Sequence, residues 1–310
     1  MNKHSSIKSK GSLLERASEL YDFGAAFRNG PDNASQEAEA VTPAVDPIAE
    51  VTVSKPAATV LPHQHATFAA IDRARLASCN LIVPDGPVTG LSEEFRIVKR
   101  QLLLAARGGK GVDAVPHGER ILVCSANPDE GKTYCAINLA LSMASEKDNR
   151  VLLIDADFAK PSVLKTLGIE NRAGLMDALA DSACDVESLV IATDIPGLSI
   201  LPAGGHTHHD TEYLAASRTA DIIDQLTRHD PSRIIIFDSP PALAASPASV
   251  LALHAGQTLM VVHADVTTDS ALRDALSLLN GCEHVQLLLN RTKFSPTGRK
   301  FGNYYGYGAS

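Results

Sequence analysis

The residues best suited to bind phosphate lie in a short loop between an apolar run and a helical pattern. Residues 126–133 read ANPDEGKT, after RILVCSA and before YCAINLALSMA. Gly131 allows a tight backbone turn, Lys132 can neutralise the β- and γ-phosphates, and the Thr133 hydroxyl can hold Mg²⁺. Because the amides of such a loop and of the following helix point at phosphate oxygens, the pattern predicts a P-loop.

Two acidic side chains in this loop place negative charge beside the predicted phosphate site. The side chains of Asp129 and Glu130 could point outward, which would leave only their backbone amides for the ligand. The residues of the loop and the helix start that are predicted to bind the nucleotide are Asn127, Asp129, Glu130, Gly131, Lys132, Thr133 and Tyr134.

Three further carboxylates follow apolar runs that read as buried strands. Asp155 and Asp157 end VLLIDAD, and period-2 alternation would place both on one side of an extended strand. Asp238 follows IIIF, as the metal-binding carboxylate of a Walker-B strand does. Beside a P-loop, Asp155 and Asp157 suit a metal–water network and a base for an attacking hydroxyl, and Thr133, Asp155 and Asp238 are the predicted Mg²⁺ ligands.

The elements that must position these residues alternate along the chain. Continuous apolar strands separated by helices predict an α/β fold, with a mostly parallel sheet and helices on both faces. Ligands of such sheets bind beyond the carboxyl ends of the strands, where these polar residues fall. Strands are predicted at 120–126, 150–156, 198–203, 233–239, 258–264 and 285–291, and helices at 91–107, 132–146, 173–180, 212–229, 247–254 and 268–280.

The chain divides by composition into three parts. Residues 1–84 are predicted to be an extension with short helices near 12–24 and 66–78 and a disordered Ala/Pro-rich linker over 29–64. Residues 85–293 are predicted to form the P-loop domain, and residues 294–310 a flexible tail.

The tail concentrates tyrosine in a glycine-rich segment. Three of the six tyrosines of the chain, Tyr304, Tyr305 and Tyr307, lie in its last seven residues. On composition alone, the segment is typical of a disordered tail whose phenols merely touch the surface. The alternative is that the tail delivers phenols to another active site, where a carboxylate could take the phenolic proton.

The composition excludes several classes of protein. A net charge of −8 without a basic cluster disfavours nucleic acid as a partner. No apolar run approaches the roughly 20 residues of a membrane span, and the basic N-terminus lacks the apolar region of a secretory signal. The five separated cysteines, without a CxxC spacing, favour reduced thiols over a disulfide framework or a zinc site. These features predict a soluble cytoplasmic protein that could dock on a membrane protein.

The motifs in their order resemble a known family. GKT, then LLIDADFAKPS, then IIIFDSPP and a tyrosine-rich C-terminus are similar to the bacterial tyrosine kinases (BY-kinases) of capsule and exopolysaccharide export. The blocks LIVPDGPVTGLSEEFRIVKRQLL and SLLERASELYDF resemble in particular the tyrosine autokinases associated with exosortase-type loci. The resemblance covers residues 85–310 and implies a P-loop fold of the MinD/ParA-like type.

The resemblance also implies roles for individual residues. Lys132 and Thr133 match the Walker-A lysine and hydroxyl, Asp155 and Asp157 the paired aspartates that handle Mg²⁺ and deprotonate tyrosine, and Asp238 the Walker-B carboxylate. The tail cluster Tyr304, Tyr305 and Tyr307 matches the autophosphorylated tyrosines. Asn290 and Arg291 resemble the position that contacts adenine, and Glu93, Arg96 and Lys99 match an E-x-x-R-x-x-R motif that builds ring-shaped oligomers.

The cofactors and partners follow from the same resemblance. It implies ATP and Mg²⁺, a homo-oligomeric ring in which the tail of one subunit enters the site of its neighbour, and a tyrosine phosphatase. It also implies a membrane chain-length-determinant protein as activator, so that the chain would be cytoplasmic and peripheral to the inner membrane. No nucleic acid is implied.

Departures from the family pattern keep other functions open. Ala159 stands where the family often has arginine, Asp129 adds repulsion near the β-phosphate, and Lys99 replaces the last arginine of the ring motif. A nucleotide-gated assembly ATPase of the MinD/ParA type, without tyrosine kinase activity, is the alternative, and a pseudokinase scaffold is a third interpretation. The segment HTHHD at 206–210 invites a metal site but lacks a recognisable ligand spacing, which favours a solvated loop.

Overall fold

One central sheet organises the folded part of the chain. The structure, a computed structural model, describes residues 67–205, 207 and 209–293. Within them, eight strands form a sheet in the order β1-β4-β5-β3-β6-β2-β7-β8. The strands are β1 (Thr67–Ala69), β2 (Arg120–Ser125), β3 (Arg150–Asp155), β4 (Ile191–Thr193), β5 (Leu198–Leu201), β6 (Arg233–Asp238), β7 (Gln257–His263) and β8 (Val285–Asn290).

Nearly all neighbouring strands of this sheet run parallel. The pair β4–β5 is antiparallel, and every other neighbouring pair is parallel. The carboxyl ends of β3, β6, β2 and β7 therefore meet at one edge of the sheet, where ligands of such folds bind.

Helices cover both faces of the sheet. They are α1 (Arg73–Ser78), α2 (Gly90–Arg107), α3 (Lys132–Ala144), α4 (Val163–Leu167), α5 (Leu175–Ala180), α6 (Asp210–Ala215), α7 (Ser217–His229), α8 (Pro247–Ala252) and α9 (Asp269–Leu278). Val186–Leu189 forms a 3₁₀ turn.

The core consists of two hydrophobic clusters, one on each face of the sheet. In β2, Leu122 belongs to one cluster and Ile121 and Val123 to the other, and β3 and β6 alternate in the same way. Because successive side chains of a strand point to opposite faces, a strand covered on both sides must be apolar throughout. This explains the continuous apolar runs of the sequence.

The expected fold is confirmed: a mostly parallel sheet with helices on both faces and a loop of P-loop sequence after β2. The helix expected over 66–78 is wrong in its first half, because Thr67–Ala69 pairs with β4 and only Arg73–Ser78 is helical. The helix expected over 212–229 is divided into α6 and α7 at Ala216, whose ψ of 152° is extended. Strand β4 was not expected, because its three residues are too few to show a strand pattern.

Two of the predicted domains extend beyond the described residues. The tail 294–310 and most of the extension 1–84 lie outside them, so the three-part division stays a prediction. Residues of 67–84 that are described do contribute to the folded body, since Ile71, Leu76 and Leu81 are buried in the same cluster as α3. None of the helices in the described ranges combines the length and the apolar character needed to cross a membrane.

Candidate active site

The site is built where three adjacent strands end. Strand β6 lies between β3 and β2, and Asp155 at the end of β3 is directly opposite Asp238 at the end of β6. Strand β2 ends at Ser125 and continues into the P-loop. Side chains from three distant parts of the sequence therefore converge, because parallel strands place their carboxyl ends at the same edge.

The P-loop turns into α3 through Gly131. This glycine has a φ of 97° and precedes Lys132, the first residue of the helix. This positive φ favours glycine, and a Cβ at position 131 would overlap the Nδ2 of Asn290, so that side chain would have to move. Asp129 also has a positive φ, 62°. The predicted tight turn is thus present, and the amides at the start of α3 are placed for an anion.

An ion pair joins the P-loop lysine to the second aspartate of β3. Lys132 Nζ lies 2.8 Å from Asp157 Oδ2, and both side chains are largely buried. Burial opposes the charge of Lys132, but Asp238 and Asp157 outweigh it and raise the pKa of the ammonium group above its usual range. The lysine is therefore a buried, fully charged group held by carboxylates.

The carboxylate of Asp157 also helps to shape the loop after β3. Its Oδ1 accepts a hydrogen bond from the Lys160 amide at 3.1 Å. One carboxylate oxygen of Asp157 therefore contacts the P-loop lysine, and the other accepts a hydrogen bond from the loop that follows β3. This arrangement fixes the distance between the two segments.

Asp155 is bound by backbone amides. Its Oδ2 accepts from the amides of Ser162 and Val163 at 2.9 and 3.0 Å, and its Oδ1 from the amide of Asp157 at 3.3 Å. Burial raises the pKa of Asp155 to about 6, although these amides lower it. The short helix α4 thus begins on this carboxylate, which the sequence alone did not indicate.

Asp238 is the most deeply buried acid of the site. It is 0% exposed, and neither of its carboxylate oxygens has a hydrogen-bond partner among the described residues. Burial raises the pKa of Asp238 to about 8, while Lys132 and the nearby Thr133 hydroxyl lower it and Asp155 raises it further. A buried carboxylate without partners is costly, which indicates that a cation or water satisfies it in the working state.

The donor set suits a hard cation that shares its ligands with phosphate. The orphaned oxygens of Asp238 and the Thr133 hydroxyl, which accepts from Ser162 Oγ at 3.3 Å, are the oxygen ligands that Mg²⁺ prefers. No cluster of three or more His, Cys, Asp or Glu side chains in the described residues could hold a metal by itself. Mg²⁺ in sites of this kind usually keeps several waters and phosphate oxygens as further ligands.

A cavity of about 400 Å³ opens over this cluster. Seven of the twelve residues predicted for nucleotide, Mg²⁺ or catalysis line it, together with Ser162 and Lys160. The other five do not: Asn127, Glu130, Asp155, Asp238 and Asn290. The lining residues are Pro128, Asp129, Gly131, Lys132, Thr133, Tyr134, Asp157, Ala159, Lys160, Ser162, Pro240, Pro241, Ala244, Ala245 and Arg291. A larger cavity of about 720 Å³ lies between residues 80–92 and α3, and Tyr134 lines both cavities.

The two acids of the P-loop differ in orientation. Asp129 lines the cavity, whereas Glu130 is only 2% exposed and does not line it. Asp129 therefore does not follow the expectation that both side chains point away from the phosphate site, whereas Glu130 does point away from the cavity. Its side chain is turned into the protein, where the Thr267 hydroxyl and Asn127 donate to it.

The residues expected to contact adenine lie beside the P-loop. Asn290 Nδ2 donates to the carbonyl of Glu130 at 2.9 Å, and Arg291, with a φ of 57°, lines the cavity. Tyr134 donates its hydroxyl to the carbonyl of Asn80 at 2.8 Å, so its phenol holds the segment before α2. The nucleotide-binding roles of these three residues stay predictions.

The residues of the ring motif do not share one exposed face. Glu93 and Arg96 form an ion pair on the surface of α2. Lys99 is 7% exposed and binds the carbonyl of Ser142 at 2.8 Å and Glu146 at 2.9 Å within the same chain. Only Glu93 and Arg96 are thus accessible to another subunit. Tyr304, Tyr305 and Tyr307, and the histidines at 206 and 208, lie outside the described residues.

Known proteins match the part of this chain that contains the site. A family model described as "AAA domain" matches residues 120–292. The chain is 32% identical over 190 residues to "Tyrosine-protein kinase wzc" of Salmonella typhimurium, which covers 60% of this chain and 26% of the relative. It is 29% identical over 230 residues to "Tyrosine-protein kinase YwqD" of Bacillus subtilis, covering 73% of this chain and 91% of the relative.

Two solved structures share the fold. One is the "VpsO (VC0937) Kinase domain", with 26% identity, a TM-score of 0.54 and coverage of 65% of this chain and 96% of that chain. The other is "the chimerical protein CapA2B2", with 23% identity, a TM-score of 0.58 and coverage of 73% and 94%. The chain spans about a quarter of the length of the Salmonella relative.

Proposed function

Because the chain belongs to the AAA domain family and, within it, to the bacterial tyrosine kinases, we propose that it is an ATP-dependent protein-tyrosine autokinase. Its acceptors would be Tyr304, Tyr305 and Tyr307, phosphorylated between subunits, and the phosphorylation would regulate exopolysaccharide polymerisation and export. The observation that carries the proposal is the position of Asp157 and Asp238 around the P-loop lysine, with Asp155 directly opposite Asp238.

Nucleotide binding would use groups of the P-loop and of the neighbouring strand ends. The P-loop amides and Lys132 would bind the phosphates of ATP, and Lys132 would then exchange its partner Asp157 for phosphate oxygens. Thr133, Asp155 and Asp238 would hold Mg²⁺ directly or through water, and the ion would neutralise the charge of the β- and γ-phosphates. Asn290 and Arg291 would flank the adenine.

Asp157 is the aspartate best placed to act as the base. It lines the cavity, whereas Asp155 is bound by three amides and does not line it. Once Lys132 has moved to phosphate, the Asp157 carboxylate can accept the phenolic proton of an incoming tyrosine. The phenol oxygen then bonds to the γ-phosphorus, the bond to the bridging oxygen breaks, and ADP leaves with both electrons of that bond.

The partners of the proposed kinase follow from its family. A ring of identical subunits would bring one tail to the next active site, with Glu93 and Arg96 of α2 at the accessible part of the contact. A membrane chain-length-determinant protein would activate the kinase, and a tyrosine phosphatase would reverse the reaction. The chain would then act in the cytoplasm, at the inner membrane. Each phosphate adds roughly −1.5 to −2 charges, so phosphorylated tails should leave the acidic site and loosen the ring.

The test is detection of phosphotyrosine on the purified chain with ATP and Mg²⁺, with and without an activator segment. The signal should disappear in Lys132→Met and in the triple change of Tyr304, Tyr305 and Tyr307 to Phe. A matched control, Tyr21→Phe, removes a tyrosine far from the tail in sequence and should keep the signal.

The outcomes separate the candidate functions. A signal that persists in the triple variant would place the acceptor elsewhere and contradict the autokinase proposal. Nucleotide binding without any phosphotyrosine, even with the activator, would favour the nucleotide-gated assembly ATPase. In that case Asp157 would activate water instead of a phenol.

A further inference from the structure

A buried acid inside the P-loop has no role in the chemistry described above. Glu130 is 2% exposed and is absent from the cavity lining, although it lies between Asp129 and Gly131, which do line the cavity. An acid is almost never fully buried unless it is paired or hydrogen-bonded. Its partners therefore indicate what this carboxylate does.

The carboxylate of Glu130 connects two loops. Its Oε1 accepts from the Thr267 hydroxyl at 2.5 Å and from Asn127 Nδ2 at 3.1 Å, and its Oε2 accepts from the Asn127 amide at 3.0 Å. Thr267 lies in the turn between β7 and α9, and its hydroxyl oxygen accepts from the amide of His263 at 2.9 Å. Hydrogen bonds to a charged acceptor are stronger than neutral ones, so this is a firm link.

The backbone of Glu130 connects a third loop. Its carbonyl accepts from Asn290 Nδ2 at 2.9 Å, at the end of β8, and the same amide group packs against Gly131. The amide of Ala264 in turn donates to the carbonyl of Asn290 at 2.9 Å, which ties the ends of β7 and β8 together. The P-loop is thus held against both of these loops, on the side where the adenine is expected.

We propose that Glu130 is a positioning residue: together with Asn127, Thr267 and Asn290 it forms a clamp that holds the P-loop in its binding conformation before nucleotide arrives. The inference rests on the proposed nucleotide binding, but not on tyrosine phosphorylation. A preformed loop spares the free energy of ordering its backbone on binding, so loss of the clamp weakens nucleotide affinity.

The test measures MgADP affinity by titration and hydrogen exchange of residues 126–132 in the nucleotide-free protein. Glu130→Ala should weaken MgADP binding by about tenfold or more, the effect of losing hydrogen bonds to a charged group, and should speed exchange of the loop amides. Asp129→Asn, which removes the neighbouring acid from the cavity, should leave exchange unchanged and strengthen binding.

Thr267 supplies the matched pair of variants. Thr267→Val removes the hydroxyl and should reproduce part of the Glu130→Ala effect, whereas Thr267→Ser keeps the hydroxyl and the affinity. In the double variant Glu130→Ala/Thr267→Val the two losses should not add, since both break the same contact. The Thr267 pair also decides the question if Glu130→Ala fails to fold.

Each result has one meaning. Weaker binding and faster loop exchange in Glu130→Ala and Thr267→Val, with Thr267→Ser unchanged, support the clamp. If the wild-type chain binds MgADP and Glu130→Ala and Thr267→Val bind it with the same affinity, the clamp is overturned and the kinase proposal stays intact. Absence of MgADP binding in the wild-type chain overturns both.

Discussion

Lys132 Nζ lies 2.8 Å from Asp157 Oδ2, so the lysine that would bind phosphate is held by an acid from the loop after the neighbouring strand. The pair satisfies two largely buried charges. It also places Asp157 in competition with phosphate for the same ammonium group.

This competition gives the first prediction. Asp157→Asn should bind MgADP at least as tightly as the wild type, because Lys132 no longer has to leave a carboxylate. Phosphotyrosine formation should fall by roughly 10²–10⁴-fold, the usual contribution of a general base. Titration and a timed phosphorylation assay check the two parts, and a variant that loses both binding and activity would contradict the assignment of Asp157 as the base.

The second prediction concerns Asp238 and pH. Its pKa of about 8 in the folded protein lies above its ordinary value of 3.8. Between about pH 4 and pH 8, Asp238 is therefore protonated in the folded state and ionised in the unfolded state. The contribution of Asp238 to the free energy of unfolding is fully present below about pH 4 and is lost as the pH rises through 8.

Asp238→Asn should therefore be more stable than the wild type at pH 8, and the difference should shrink towards pH 4. We expect more than about 1 kcal/mol at pH 8, since one pKa unit corresponds to about 1.4 kcal/mol. Urea unfolding at several pH values, without Mg²⁺, measures this. Equal stability of the two proteins at pH 8 would show that the buried carboxylate costs nothing.

A third prediction concerns Gly131. Gly131→Ala puts a Cβ against Asn290 Nδ2 and imposes a φ of 97° on an alanine. We expect a loss of roughly 1–2 kcal/mol in the free energy of unfolding from the backbone conformation alone, and a loss of MgADP binding. Adding Asn290→Ala removes the overlap, but it leaves the backbone strain and also removes the hydrogen bond to the Glu130 carbonyl. The double variant should therefore recover only part of the stability. Full recovery would mean that only the close contact requires glycine.

The fourth prediction separates two positions of the same motif. Lys99→Ala removes a buried ammonium from the Ser142 carbonyl and Glu146, and it should lower the free energy of unfolding by about 1–3 kcal/mol. Arg96→Ala lies on the surface and should change stability by less than about 0.5 kcal/mol while weakening self-association. Chemical unfolding and analytical ultracentrifugation check these outcomes. If Lys99→Ala instead had wild-type stability but no longer assembled, Lys99 would belong to the subunit contact.

Much of the fold was predictable because the strands are buried on both faces. Their continuous apolar runs and the helical spacing between them are local signals, and the observed ends of β2, β3, β6, β7 and β8 differ by only a residue or so from those expected. Short elements were missed because they carry too few residues to show such a local signal. Strands β1 and β4 have three residues each, so their pairing and not their composition makes them strands.

The groups of the candidate site could be named from local patterns, since the P-loop, Asp155, Asp157 and Asp238 each follow a recognisable strand. Their separate roles depend on contacts that form only in the folded chain. Lys132 pairs with Asp157, Asp155 accepts the amides that begin α4, Asp238 is left without a partner, and Glu130 turns inward to Thr267. These contacts join residues far apart in the chain, and they depend on burial and distance across strand ends, which no local pattern of residues encodes.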